Sequence, residues 1–138
     1  MLYNGIDLIN IDRIERAVQR WGDRFLQRVF TVREQAYRHR PESLAARWAA
    51  KEATAKMLGV GVRGLGAASR KTEAVGWTDI EIVNDPSGRP MLQLHGCAAA
   101  HAQRLHITAL SVSLSHTRLH AIASVVALSI LTPHHESG

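Results

Sequence analysis

An alanine-rich stretch between Pro41 and Gly59 constrains the fold more than any other part of the sequence. Proline suits the first turn of a helix because its missing N–H would be unpaired there, and glycine readily adopts the left-handed conformation that ends helices. The pattern predicts a helix that runs to about Leu58. Because its side chains are mostly small, we expect this helix to pack closely against a neighbouring element.

The other predicted elements alternate between strands and helices. Apolar residues from Leu2 to Ile11 predict a buried strand, and residues that step by three or four predict a helix from about Asp12 that breaks near Gly22. Thr31 and Glu34 form a capping box for a further helical piece. The later elements are a hairpin within 78–94, a short helix over 98–105, and strands over 109–114 and 120–130. The last of these strands is predicted to be buried. The order of strand, helices, two strands, helix and two strands favours an α+β fold, with a mainly antiparallel sheet and helices packed on it.

Composition limits the chain to one domain. Its 138 residues, 46% of them hydrophobic, can bury one core, and we expect a single domain over 1–131 followed by a polar tail over 132–138. The single cysteine, Cys97, excludes an internal disulfide and is typical of a cytoplasmic protein. No signal-peptide pattern follows Met1, and the most apolar stretch, 121–131, is shorter than the about 20 residues that span a bilayer. We therefore expect neither export nor membrane insertion.

A row of arginines marks one face of the first predicted helix. The residues step by three or four and face away from the apolar stripe of Ile14, Ala17, Val18, Trp21 and Phe25; they are Arg13, Arg16, Arg20, Arg24 and Arg28. The whole chain carries 17 Lys and Arg against 12 Asp and Glu, a formal charge of +5. This charge indicates an acidic partner, and by itself it suits nucleic acid, an anionic membrane surface or an acidic protein equally.

Two carboxylates are candidates for chemistry. Asp7 interrupts an otherwise apolar strand, where an unpaired buried carboxylate would be costly, so it requires a cation or a helix to cap. Glu52 lies on the alanine-rich helix. Brought together, two such groups form a typical Mg²⁺ site, completed by water and substrate phosphate. The residues alone leave open an ordinary helix pair between Glu52 and Lys56, and a capping role for Asp7.

Several motifs in a fixed order narrow these alternatives. They are GIDLINIDRI over 5–14, FTVRE over 30–34, ARWAAKEA over 46–53, DIEIVNDPSGRP over 79–90 and SLSHT over 113–117. Each is moderately specific, but together they resemble the holo-acyl-carrier-protein synthases over about residues 3–128. The resemblance implies a 4′-phosphopantetheinyl transferase fold. The chain departs from the family pattern in a longer loop over 62–76 and in Trp48, where phenylalanine is more familiar.

The resemblance also implies a reaction. These enzymes move 4′-phosphopantetheine from coenzyme A to a serine of apo-acyl carrier protein, release adenosine 3′,5′-bisphosphate and support fatty acid biosynthesis. Asp7 and Glu52 match the family's magnesium ligands, and the positions that match its coenzyme A phosphate site are Arg47, Lys51, Lys56, His116 and Thr117. Lys51 is also a candidate for deprotonating the acceptor serine, and a metal-bound water is an equally open one.

Partners follow from the same resemblance. Arg13, Arg24 and Arg28 match positions that grip the acidic carrier protein. Single-copy family members form homotrimers with active sites between subunits, which would place the run Gly88, Arg89 and Pro90 near the adenine of a neighbour's coenzyme A.

Two other classes of function compete with this interpretation. A basic module could use the arginine helix on nucleic acid, but only 5% of residues are aromatic and none interleaves the basic row, so no nucleic-acid partner is expected. A trimeric scaffold without catalysis would leave Asp7 in its strand unexplained.

Overall fold

The computed structural model describes residues 1–63 and 74–131. Its helices are α1 (Ile11–Trp21), α2 (Asp23–Val29), α3 (Pro41–Leu58) and α4 (Gly96–Arg104), with 3-10 turns at Glu34–Tyr37 and Trp77–Asp79. Its strands are β1 (Leu2–Asn10), β2 (Gly61–Val62), β3 (Ala74–Val75), β4 (Ile80–Asn84), β5 (Pro90–Leu94), β6 (Ile107–His116) and β7 (His120–Ser129). The expected polar tail and most of the long loop over 62–76 lie outside the described residues.

The strands form one central sheet and two small ones. The central sheet has the order β1-β7-β6 and is antiparallel throughout, β4 and β5 form a separate antiparallel hairpin, and β2 pairs with β3 in parallel. Together with the helices this arrangement confirms the α+β fold with mainly antiparallel pairing. Among the described residues no helix is both long and apolar enough to cross a bilayer.

The predicted break at Gly22 and the predicted end of α3 match the structure, whereas α4 begins two residues earlier and ends one residue earlier than predicted. Gly22 separates α1 from α2 and has φ 54, while Gly59 ends α3 in the left-handed conformation with φ 72. Thr31 and Glu34 form the reciprocal capping box: the Thr31 amide donates to Glu34 Oε1 at 3.0 Å, and the Glu34 amide donates to Thr31 Oγ1 at 3.3 Å.

Helix α3 packs against β1 and β7 at very short range. A Cβ atom built on Gly5 would lie 1.9 Å from the backbone oxygen of Ala53, so no larger residue fits at this crossing. The facing side of β7 is composed mainly of small residues, since Ala121, Ala123 and Ala127 are fully buried there beside Val125. The alanine-rich composition of α3 therefore allows the helix backbone to approach the sheet closely.

The first and last strands were predicted to be buried, and this is correct for one face of each strand and wrong for the other. One face of the central sheet packs against α3, but the other carries exposed apolar side chains: Leu2, Ile6 and Leu8 on β1, and Val126 and Leu128 on β7. An antiparallel sheet can be covered on a single face, and runs of apolar residues on both faces do not reveal which face that is. Trp21, expected on the packed stripe of α1, is also exposed.

Charged side chains close the free edge of β4. Its other edge pairs with β5, so the backbone groups of Ile80 and Ile82 on the free edge need other partners. Lys51 Nζ donates to the Ile80 carbonyl, the Ile82 amide donates to Glu34 Oε2 at 3.2 Å, and Arg47 Nε donates to the Ile82 carbonyl at 3.1 Å. These side chains fix the β4–β5 hairpin against α3 without another strand.

Candidate active site

Asp7 on β1 lies beside the C-terminal half of α3. Its carboxylate is 18% exposed, and Oδ1 accepts a hydrogen bond from Lys56 Nζ at 3.0 Å. Lys56 also donates to the backbone oxygen of Ile6 at 3.1 Å. Since the close crossing at Gly5 precedes Asp7 by two residues, the packing of α3 on β1 determines this contact.

Glu52 belongs to the same group of charges. Burial raises the pKa of Glu52, and the negative charge of Asp7 raises it further, while Lys56 and Arg13 act in the opposite direction. Burial and the neighbouring Asp7 charge therefore both disfavour the ionised form of Glu52, and an added cation between the two carboxylates would favour it.

The donor set fits a magnesium ion. In the described ranges, no three His, Cys, Asp or Glu side chains converge on one point, so a cage made wholly of protein ligands is absent from them. Mg²⁺ in phosphate-transfer sites is usually held by one or two carboxylates, with water and substrate phosphate completing the shell. The two carboxylates on β1 and α3 match that requirement.

Lys51, expected at the same site, lies elsewhere. Its side chain is fully buried, and Nζ donates to Glu34 Oε1 at 2.7 Å and to the Trp77 carbonyl at 3.0 Å, besides the contact with Ile80. Burial lowers the pKa of Lys51, and Glu34 opposes that shift. The structure thus does not bring Lys51 Nζ to the carboxylate pair or to the surface.

A second polar hollow lies at the other end of α3. It has a volume of about 230 Å³, and its lining includes Arg47, Asn84, Gly88, Pro90 and His116. Arg47 Nη2 donates to Asn84 Oδ1 at 3.2 Å, and its guanidinium lies 3.7 Å from the Tyr37 ring centroid. Burial lowers the pKa of Arg47. Four residues expected at coenzyme A thus meet in one hollow.

The remaining expected contacts lie around this hollow. His116 and Thr117 line an adjoining hollow with Arg118, and Thr117 Oγ1 accepts hydrogen bonds from the Leu119 and His120 amides at 3.2 and 3.1 Å. Arg89 instead lines the groove between β5 and β6. The residues that line the 230 Å³ hollow do not include Asp7, Glu52 or Lys56. The expected site is therefore divided between two places on one chain.

The three expected carrier contacts connect to the carboxylate pair through aromatic rings. Arg24 and Arg28 flank Trp21 and Phe25 around a hollow of about 450 Å³. Phe25 stacks on Trp48 with the ring centroids 5.9 Å apart, and the Arg13 guanidinium lies 5.7 Å from the Trp48 ring centroid. The hollow on α1 and α2 is therefore joined to Arg13 through packed aromatic rings, of which Trp48 is buried.

Sequence reasoning missed the roles of Glu34 and Asn84. Glu34 was identified as a capping residue only, yet it is the buried partner of Lys51. The available signal was the spacing of Arg47 and Lys51, which puts two cations on one face of an alanine-rich helix where a carboxylate must lie nearby.

The chain is similar to known proteins in both sequence and fold. Residues 4–123 match the model of the 4′-phosphopantetheinyl transferase superfamily. The holo-[acyl-carrier-protein] synthase of Chloroflexus aggregans is 56% identical over 92% of this chain and 95% of its own, and that of Herpetosiphon aurantiacus is 54% identical over 93% and 99%. The Helicobacter pylori holo-[acyl-carrier-protein] synthase, solved in complex with coenzyme A, matches with a TM-score of 0.73 at 30% identity, covering 91% of this chain and 99% of its own. The Neisseria meningitidis synthase has a TM-score of 0.74 at 31% identity over 92% and 98%.

The chain belongs to the 4′-phosphopantetheinyl transferase superfamily. Within that superfamily its relatives are holo-[acyl-carrier-protein] synthases, which confirms the family recognised from the motifs and the enzyme class.

Neutralising Glu52 should stabilise the metal-free protein. Because the folded state raises the pKa of Glu52, stability falls as the pH rises from about the ordinary value of 4.5 through the raised pKa, and the penalty is complete above it. Glu52→Gln in chelator at pH 7 should therefore melt roughly 2–5 °C above wild type, and the difference should vanish below about pH 4. Glu15→Gln, the same change at an exposed site on α1, is the control. A lower melting temperature for Glu52→Gln than for wild type at pH 7 would contradict the conclusion that the folded state raises the pKa of Glu52.

Proposed function

We propose that this protein transfers 4′-phosphopantetheine from coenzyme A to a serine of apo-acyl carrier protein in a magnesium-dependent reaction. The observation that carries the proposal is the group of Asp7, Glu52 and Lys56, where two carboxylates and a lysine meet on a chain of this family. Adenosine 3′,5′-bisphosphate is the expected second product. A role in fatty acid biosynthesis and a cytoplasmic location remain predictions.

Asp7 and Glu52 would hold the magnesium ion. Bound there, Mg²⁺ would polarise the phosphoryl oxygens and offset the charge that develops as the pyrophosphate breaks. Lys56 is half-exposed beside Asp7, so its ammonium group can contact a phosphate oxygen on the open side of the pair. Asp7 in turn keeps Lys56 in place when no phosphate is bound.

The reaction exchanges one phosphorus–oxygen bond for another. The serine oxygen of the carrier attacks the phosphorus that bears pantetheine, and the bridging bond of the pyrophosphate breaks. The bisphosphate nucleotide leaves with the bridging oxygen, and a base takes up the hydroxyl proton. Since little covalent chemistry falls to the protein, positioning and electrostatic stabilisation account for most of the catalysis.

The hollow at Arg47 suits the nucleotide end of coenzyme A. Arg47 and His116 provide cationic or hydrogen-bonding groups, and the backbone around Gly88 can approach a ligand closely because no side chain intervenes. The H. pylori relative in this fold binds coenzyme A, which supports the same ligand here.

The exposed face of the central sheet supports a trimer. Leu2, Ile6, Leu8, Val126 and Leu128 expose apolar side chains on one face of the paired strands, interrupted by Asn4 and Ser124. So much exposed apolar surface on one sheet face is unusual for a surface that stays in contact with water. A homotrimer would cover this face. It would also allow the carboxylate pair of one subunit to meet the hollow of the next, as the family's active sites between subunits require.

The basic surface on α1 and α2 suits the acidic carrier protein. Arg24 and Arg28 surround Trp21 and Phe25, so the surface combines positive charge with apolar area. Such a combination guides a negatively charged partner electrostatically and then binds it by apolar contact.

Intact mass of an apo-acyl carrier protein tests the activity. After incubation with coenzyme A and Mg²⁺ we expect a gain of one phosphopantetheine, and none with chelator, because the carboxylate pair needs the metal. Asp7→Ala should fold, as judged by circular dichroism, and transfer less than about 1% as fast. Transfer at the wild-type rate by folded Asp7→Ala would refute the metal assignment. No transfer by wild-type protein to several carriers would refute the function.

Charge reversal at Arg24 should weaken carrier recognition alone. Arg24→Glu is expected to raise the KM for carrier protein about tenfold or more, with the KM for coenzyme A unchanged, because the arginine lies on the basic surface and not at the hollow. Arg16→Glu, at an exposed arginine paired with Asp12, is the matched control and should change the KM less. Equal KM values for carrier in wild type and Arg24→Glu would remove this surface from the proposal.

A charge in the apolar sheet face should separate the subunits. Light scattering should give wild type the mass of three 15.2 kDa chains, and Val126→Asp the mass of one with transfer lost, because a charge cannot stay buried there unpaired. Gln103→Asp, at an exposed position on α4, should remain trimeric. A wild-type protein that runs as a fully active monomer would rule the trimer out.

A further inference from the structure

Lys51 has no open path to a ligand. Its side chain is fully buried, and three protein oxygens, Glu34 Oε1 and the carbonyls of Trp77 and Ile80, accept hydrogen bonds from Nζ. An ammonium group has three N–H donors, so these contacts use its whole capacity. Contact with a phosphate or with the acceptor serine would require breaking several buried hydrogen bonds.

Both carboxylate oxygens of Glu34 also accept hydrogen bonds from protein groups. Oε1 receives Lys51 Nζ and the Thr31 amide, and Oε2 receives the Ile82 amide at 3.2 Å. Lys51 and Glu34 thus form one charged pair that binds both the amide and carbonyl sides of the free edge of β4. Arg47, one turn before Lys51 on α3, extends the same seal to the Ile82 carbonyl.

Strand β4, whose free edge is paired in this way, ends beside the hollow proposed for coenzyme A. β4 ends at Asn84, whose Oδ1 accepts from Arg47, and the turn that follows is closed by the Asp85 amide donating to the Arg89 carbonyl at 2.8 Å. Gly88 and Pro90 of this turn line the hollow beside Arg47. The register of β4 against α3 therefore sets where one wall of the hollow stands relative to the other.

We propose that Lys51 and Glu34 are positioning residues for the coenzyme A subsite, and that neither touches the substrate or the reacting atoms. The buried pair fixes the position of β4 along the axis of α3, and this position places the turn at Gly88 next to Arg47. This inference rests on the proposed function, since it concerns binding of coenzyme A, but its geometric basis is independent of catalysis.

Amine labelling of the wild-type protein tests the first half of the proposal. The chain has only three lysines, Lys51, Lys56 and Lys71, so acetylation at each can be followed by peptide mass spectrometry. In the folded protein we expect Lys56 to react, with its labelling reduced by coenzyme A and Mg²⁺, and Lys51 to stay unlabelled with or without ligand. Denatured protein, in which Lys51 should react, is the control. A Lys51 that reacts in the folded protein and is protected by coenzyme A would overturn the proposal.

Kinetics test the second half. Lys51→Met and Glu34→Gln should raise the KM for coenzyme A about tenfold, with the KM for carrier protein unchanged and kcat within about twofold. Val125→Ala, a truncation in the core of β7, provides a variant of lowered stability whose KM for coenzyme A should not move. Assays run well below each melting temperature separate positioning from loss of fold.

The outcomes distinguish this inference from the proposed function. A folded variant with an unchanged KM for coenzyme A, or with kcat lost at unchanged KM, overturns the positioning role. If Lys51→Met does not fold, Glu34→Gln carries the kinetic test because it keeps the shape of the side chain while removing its charge. Absence of transfer by the wild type would refute the proposed function, while a Lys51 that stays unlabelled beside a Lys56 that reacts would still support the placement of Lys51.

Discussion

The hydrogen bonds that pair the free edge of β4 are the interaction on which the hairpin and the hollow beside Arg47 depend. A strand edge inside a protein presents amide and carbonyl groups that must be paired, and here no further strand is available. Lys51, Glu34 and Arg47 supply the pairing, and the first two are completely removed from water. Buried charges are tolerated only where they are paired and hydrogen-bonded. Here the charged side chains pair the buried backbone groups of the strand edge, and those backbone groups in turn provide hydrogen bonds to the buried charges. The hairpin, its turn and the hollow beside Arg47 all depend on this seal.

A second constraint comes from the crossing of β1 and α3. The backbone oxygen of Ala53 lies where any side chain at position 5 would stand, so only glycine permits the contact. This close approach carries Asp7 to Glu52 and Lys56. The carboxylate pair is thus a product of backbone packing, because β1 and α3 are the elements that carry Asp7 and Glu52.

Two features of the single chain bear on the proposed trimer. The carboxylate pair and the hollow beside Arg47 are lined by different residues, and one face of the central sheet exposes Ile6, Leu8 and Val126. Assembly of identical subunits would address both, since a symmetric contact can bury the apolar face and bring unlike halves of a site together. The basic surface around Trp21 and Phe25, which is the proposed contact for an acidic carrier, is formed by other residues, on α1 and α2.

The sequence by itself determined the order of the longer elements, the ends of α3 and the identity of Asp7 and Glu52 as candidates, because capping residues, periodicity and an isolated carboxylate are local signals. It missed the two-residue strands β2 and β3, which lie where a loop was predicted and are too short to show a period. It could not determine which face of β1 is covered, nor that Lys51 turns inward while Lys56 turns to Asp7. Both lysines lie on one helix, and their chemistry is the same. Only the tertiary structure separates them, since the direction of each side chain depends on what packs against α3 at that point: β4 and Glu34 on one side, β1 and open solvent on the other.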